Sequence, residues 1–308
     1  MEPTNNPFDE LLSFSEPKAE EKAALIARLS AGQYSLSFSS LTAFAVSPYH
    51  FICYKVAERK ETPAMLMGSV VHCRVLEPDM FEKRYRIAPN VNAATTEGKA
   101  VWAGIFEEMT GEELTRNKAG NPIIPKVADL IDEIKAKTGV TVLPGSVAEE
   151  GDFRARRLLQ NRASRWLIDQ LTQTESDIDF ECQGVKIRGR VDGKSDSIIM
   201  DIKNVPNAEL RAAMFTIKAR KLHWQAWAYC QATGIREYFI ACVDGNGEVS
   251  VHKISERQLE QAEIEVNEYV ERFKDTAIAG MFDQSVWDQS QDFWLHTDEN
   301  PYGINIIN

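Results

Sequence analysis

The chain has no long apolar run: no stretch approaches the roughly 18 uncharged residues that a membrane-spanning helix requires. It also lacks paired cysteine spacing. Cys53, Cys73, Cys182, Cys230 and Cys242 are an odd set without a CxxC pair. That pattern argues against a disulfide framework and an iron–sulfur cluster, and implies reduced, mostly buried thiols. Positive charge is in deficit, with 35 Lys and Arg against 46 Asp and Glu and a net charge of −11. No global basic field therefore draws the chain to nucleic acid. The N-terminus, MEPTNNPFDE, lacks the basic and apolar parts of a secretory signal, so a cytoplasmic setting is expected. There is no internal repeat.

What remains is an ordinary globular composition, 44% hydrophobic and 26% charged over 308 residues, enough for one large core. Residues 1–33 read as a flexible N-terminal segment able to hold one short helix, and 281–308 as a tail with Trp287, Phe293, Trp294 and Tyr302. A helical pattern begins at SLSFSSLTAF, where Ser39 or Ser40 suits a cap, and continues from Pro48. Gly68 to Leu76 predicts a further helix. Residues 91–147 mix helical pieces at about 98–109 and 126–137 with turn-rich breaks, the pattern of an insertion. An Arg-rich helical stretch follows at about 147–172. From 178 the character changes to β-prone runs: IDFEC, VKIRGRVDG, SIIMDIK, then REYFIACV and EVSVHKI after a helical stretch at about 207–233. A long amphipathic helix occupies about 255–279. This order predicts a single α/β (α+β) domain over 34–280, with a mixed central sheet (about 176–254) flanked by helices and a helical N-terminal part.

The chemistry concentrates in residues 188–203, RGRVDGKSDSIIMDIK. Alternate side chains of a strand share a face, so Asp201 and Lys203 point the same way while Ile202 packs behind them. Asp192, at the turn out of the preceding strand, is close enough in sequence to join Asp201 around one divalent cation. Such a cation prefers hard oxygen ligands, acidifies a water and neutralises charge on a phosphate. The bland alternative is a β-hairpin with surface charges. Acid-x-Lys also occurs at Glu97-Gly98-Lys99 and Glu133-Ile134-Lys135, so the triplet alone decides nothing. Glu181 offers a third acid, or a solvated one. His72 reads either as a ligand or as a hydrogen-bonded core residue. Gln225 and Tyr229, at i and i+4, share a helix face. Local basic clusters (Arg154 to Arg165, Lys186 with Arg188 and Arg190, Lys218 to Lys221) supply either a DNA channel or ordinary solvated faces.

GSVVH ending at His72, GRVDG with DIK, and Gln225-x-x-x-Tyr229 together resemble the RecB-like nucleases of the PD-(D/E)xK superfamily, with a restriction-endonuclease-like core. Among these the resemblance is to the phage and prophage exodeoxyribonuclease VIII group, related to lambda exonuclease. SFSSLTAFAVSPYHF and MLMGSVVHCRVLEPDMFEKRYRIAP extend it over roughly 35–90 and 150–245. The resemblance implies metal ligation by His72, Asp192, Asp201 and the Ile202 carbonyl, with Lys203, Glu181, Asp192 and Asp201 as catalytic residues. It implies Gln225 and Tyr229 as supports, and Ser37, Ser39, Arg188 and Arg190 as candidate substrate contacts. Two Mg²⁺ ions per site are implied, with Mn²⁺ able to substitute.

By the same resemblance the activity is digestion of one strand of linear duplex DNA, 5′ to 3′, leaving 3′ overhangs for phage-type recombination. The implied partners are double-stranded DNA ends, a single-strand-annealing recombinase and further copies in a trimeric or tetrameric ring, in a bacterial host and without a membrane. A RecB-like endonuclease or repair nuclease, and a non-catalytic DNA-end-binding scaffold, stay open as alternatives. Asn204 departs from the family's usual Thr after the lysine, and 91–147 matches poorly.

Overall fold

The computed structural model describes residues 18–57, 62–92, 94–124 and 126–282. Helix α1 (Ala19–Ser30) buries Leu25 and Leu29, one turn apart on one face. Strand β1 (Ser35–Ser37) ends in a reciprocal cap: the Ser37 hydroxyl accepts from the Ser40 amide, and the Ser37 amide donates to the Ser40 hydroxyl. This starts α2 (Phe38–Val46) upstream of the expected Ser39 or Ser40 cap. Ser47 caps α3 (Pro48–Val56), and Thr62 caps α4 (Pro63–Leu76). Both open on a proline, which has no amide to leave unpaired in a first turn. A 3₁₀ turn at Pro78–Met80 leads to α5 (Phe81–Arg84) and β2 (Tyr85–Ala88). Helices α6 (Thr96–Thr110) and α7 (Val127–Thr138) each stop at a left-handed glycine, Gly111 and Gly139. Strand β3 (Thr141–Pro144) pairs in parallel with β2. Helices α8 (Gly145–Gln160) and α9 (Arg162–Ile168) follow, separated by the Asn161 cap.

Three strands come next: β4 (Gln173–Cys182), β5 (Val185–Lys194) and β6 (Ile198–Asn204). The single helical stretch expected after them is two helices, α10 (Leu210–Ala219) and α11 (Leu222–Thr233). Lys221 between them stands at φ 52°, a left-handed conformation that ends the first helix. Strands β7 (Glu237–Val243) and β8 (Val249–Lys253) and the capped helix α12 (Glu256–Ala279) complete the fold. The main sheet runs β1-β5-β6-β7-β8, with β4 on the other edge of β5. Pairs β1–β5 and β6–β7 are parallel, and β4–β5, β5–β6 and β7–β8 antiparallel. The fold is α/β with a mixed central sheet and a helical N-terminal part, as the element order implied.

One detail of register positions the site. Strand β6 pairs with β5 only at Gly193–Met200 and Lys194–Ile199. Beyond these the strands part into a fork, and the β5-facing edge of β6 is left without a strand to bond.

Core packing accounts for the layers. Leu36, Phe44, Phe51, Ile187, Trp224, Tyr238, Val270 and Phe273 fill one side of the sheet under α1–α3, α11 and α12. Phe273 meets the rings of Tyr34, Phe44, Phe51 and Phe282, so Phe273→Ala removes about 3–5 kcal/mol. Val71, Leu158, Met200, Ile202 and Val243 fill the other side under α4, α8 and α9. A separate cluster around Trp102, Phe106, Ile134 and Val142 packs the stretch between β2 and β3.

The N-terminal boundary shifts. Part of the segment read as flexible is α1, which packs into the main core, and its Ser30 hydroxyl donates to the Ala277 carbonyl at 2.9 Å. Residues 1–17, and the tail aromatics from Trp287 onward, lie outside the described residues. Among the described residues, no helix is long and apolar enough to cross a membrane.

Candidate metal and catalytic site

The site lies in the β5–β6 fork. The Ile202 amide, left without a strand partner, donates to Asp192 Oδ2 at 2.7 Å. The Ile202 carbonyl accepts from His72 Nε2 at 2.8 Å. The two backbone groups of this one β6 residue thus tie the end of β5 to helix α4. His72 Nδ1 then faces two carboxylates, Asp192 Oδ2 at 3.5 Å and Glu175 Oε1 at 3.7 Å. With Nε2–H committed to Ile202, a neutral imidazole would turn a lone pair on Nδ1 toward those oxygens. A proton or a cation resolves the conflict.

Electrostatics follow this geometry. Burial opposes charge on His72, but Asp192 and the Glu175 hydrogen bond outweigh it and raise its pKa to about 9. Burial pushes the Asp192 carboxyl up to about 6, with His72 pulling the other way. Glu175 is held below the usual carboxylate range, chiefly by its bond to His72. Asp201, only 1% exposed, divides its oxygens. Oδ1 accepts from Gln225 Nε2 at 2.6 Å, and Oδ2 meets Lys203 Nζ at 2.7 Å. Burial opposes the Lys203 ammonium, yet Asp201 and Asp192 hold it charged well above the usual lysine range. The Tyr229 hydroxyl is pushed up by burial and then by Asp201. Its ring lies against β5 at Gly189, where a Cβ would stand 2.6 Å from Cε1.

The structure therefore brings together His72, Asp192, Asp201, Ile202, Lys203, Gln225 and Tyr229. It does not bring in Glu181. That residue is exposed and pairs with Lys186 in the β4–β5 ladder. Six residues of strand separate it from Glu175, about 20 Å at the usual rise. The third acid at the site is Glu175, which lies across from Asp192 between the pairs Thr174–Gly193 and Ser176–Val191. Its φ of 47° is left-handed, a conformation that costs a non-glycine residue about 1–2 kcal/mol. In TESDIDFEC acids occupy every second position, and alternation marks none of them as special. The break in extended backbone at 175 is what turns that one toward His72.

The candidate substrate contacts also separate. Ser37 caps α2 through its hydroxyl. Ser39 lines a groove of about 1210 Å³ that runs past His72, Lys203, Asn204, Arg154 and Arg220. Arg190 is exposed and pairs with Asp177 at 2.8 Å, and Arg188 is exposed on β5 beside β1. Neither is among the groove-lining residues.

His72, Glu175 and Asp192 each offer a ligand atom, all within 4.8 Å of one another. One nitrogen and several hard oxygens, with a proton on Nδ1 standing where positive charge is needed, fit a divalent cation of the Mg²⁺ or Mn²⁺ type.

No family model matches the chain, and no curated protein matches it. Among solved structures it is similar to a candidate exonuclease from Eubacterium rectale, at 14% identity and a TM-score of 0.49, over 86% of this chain and 88% of that one. It is also similar to the protein SSO0001, at 10% identity and a TM-score of 0.27, over 67% of this chain and 85% of that one. Both likenesses are distant, and the chemistry rests on the side chains of the fork.

Proposed function

We propose that this chain is a divalent-metal-dependent nuclease acting on linear double-stranded DNA, as an exonuclease that removes one strand 5′ to 3′. The observation that carries the reading is the fork itself, where imidazole, carboxylates, a carbonyl and a half-buried ammonium meet within hydrogen-bond range. A divalent cation held by His72, Glu175 and Asp192, beside Asp201 and the Ile202 carbonyl, would acidify a water and neutralise phosphate charge. Lys203, kept protonated by Asp201, places a positive charge where a phosphodiester gains negative charge in its transition state. Gln225 fixes the Asp201 carboxylate, and Tyr229 braces β5 behind it.

Strand polarity, two-ion chemistry, a ring of copies, a recombinase partner and a phage-type role follow from the sequence resemblance and belong to this proposal. The test is a linear duplex incubated with Mg²⁺, with EDTA and Asp192→Asn as controls. Nucleotides released only by the metal-loaded wild type support the reading, and loss of the 5′-phosphorylated strand supports its polarity. Cleavage of a closed circle moves the assignment to an endonuclease. Binding of ends without any nucleotide release removes the enzyme reading.

A further inference from the structure

Away from the fork, the groove is lined by Arg154, Asn204, Arg220 and Glu150. Arg154, on α8 and 14% exposed, donates from Nη1 to Asn204 Oδ1 at 3.2 Å and pairs through Nη2 with the Glu150 carboxylate. Its Nε, and Asn204 Nδ2, are buried donors with no acceptor among the described residues. A buried donor left unmatched costs about 1–3 kcal/mol, so two on side chains that touch each other favour an acceptor supplied on binding. Arg220 adds a half-buried guanidinium that carries no ion pair among the described residues. Gly245 keeps the adjoining wall free of a side chain: a Cβ there would stand 3.1 Å from Arg154 Nη2. Asn204 directly follows Lys203 on β6, so this cluster is built onto the catalytic strand.

The guanidinium fork and the amide nitrogen match a phosphate group, which accepts several charge-assisted hydrogen bonds at once. Among the described residues Glu150 is the one anion paired with the Arg154 guanidinium, and its side chain is 44% exposed, free to swing to solvent. We propose that Arg154, Asn204 and Arg220 form a second phosphate subsite for the bound strand, and that Glu150 occupies it in the resting protein as a built-in competitor. The assignment rests on the nuclease reading of the fork. Departure of Glu150 uncovers the guanidinium, and an incoming phosphate restores the lost partner.

The test measures binding of a fluorescein-labelled duplex oligonucleotide to the full chain in EDTA, alongside KM and kcat for nucleotide release in Mg²⁺. Arg154→Gln should weaken binding about tenfold or more, and reduce the salt-dependence slope by about one. Glu150→Gln should tighten binding about threefold and lower KM with kcat little changed, because it removes only an exposed competitor. A merely structural ion pair predicts weakening by both variants. That result, or no change in either, overturns the subsite. Should Arg154→Gln fail to fold, the sign of the Glu150→Gln effect decides alone. Duplexes with 5′-phosphate and 5′-hydroxyl ends separate the sources: an Arg154 effect confined to the first assigns a terminal monoester, and an equal effect on both an internal diester. Opposed variant effects on binding, with no nucleotide release by wild type, would keep the subsite and remove the nuclease reading. An active wild type with unmoved variants does the reverse.

Discussion

Cation affinity at the fork should rise steeply with pH. The perturbation is a pH series from 6 to 9, with and without Mg²⁺ or Ca²⁺, read by thermal unfolding. Without a cation, His72 is raised from 6.5 to about 9, so its contribution to stability is full below about 6.5 and lost as pH climbs through 9. The Asp192 carboxyl is raised from 3.8 to about 6, so the folded chain holds an extra proton in that window and also loses stability as pH rises. The two signs agree: at this site the cation-free protein weakens with rising pH. A cation needs those protons gone. Displacing the His72 proton makes the apparent dissociation constant fall roughly tenfold per unit below pH 9, so pH 6 to 8 spans about 100-fold, or about 2.7 kcal/mol of added stabilisation at high cation. His72→Gln should flatten that slope. Equal stabilisation at pH 6 and pH 8, or a slope that survives in His72→Gln, would refute the placement of a cation at Nδ1.

Other outcomes test the parts separately. Glu175→Gln should weaken cation binding by about tenfold or more, the size seen for partners that support metal ligands, and Glu181→Gln should leave it unchanged. The reverse pattern in a titration would restore Glu181. Lys203→Met strands Asp201 at 1% exposure and should cost about 3–5 kcal/mol in urea unfolding. The double variant with Asp201→Asn should cost clearly less than the two singles summed, and strict additivity would dissolve the pair. Gly189→Ala drives a methyl into Tyr229 and should lose about 1–3 kcal/mol, most of it recovered with Tyr229→Leu.

Much of the fold was legible because the β-prone runs after residue 178 and the long helix near 255–279 carry strong local signals. Asp192, Asp201 and Lys203 could be singled out because alternation puts the last two on one face and a turn puts the first nearby. His72 and Gln225 needed the sequence resemblance, since an imidazole on an apolar helix and an amide beside tryptophans also read as core. Glu175 was not legible. Its role comes from a left-handed φ and a position across from Asp192, and neither leaves a mark on a string where four acids alternate. The capping role of Ser37 was not legible either, for a related reason. A hydroxyl at a helix start is claimed first by the nearest unpaired amide, here that of Ser40. The Arg154–Asn204 contact joins residues 50 apart in sequence, beyond any local pattern.

The parting of β5 and β6 makes residue 202 a participant that mutagenesis of side chains cannot see. Ile202→Val should trim only its packing, about 0.5–1.5 kcal/mol, because everything this residue offers the fork comes from its backbone amide and carbonyl. The amide is also a built-in gauge. Its proton is held by Asp192 and by no neighbouring strand, so its exchange with solvent deuterium should track the state of that carboxylate. Exchange should be slow while Asp192 is ionised and free, and faster once a proton or a cation draws its electrons away. One amide among some three hundred would thus report whether the fork is loaded, with no substrate present.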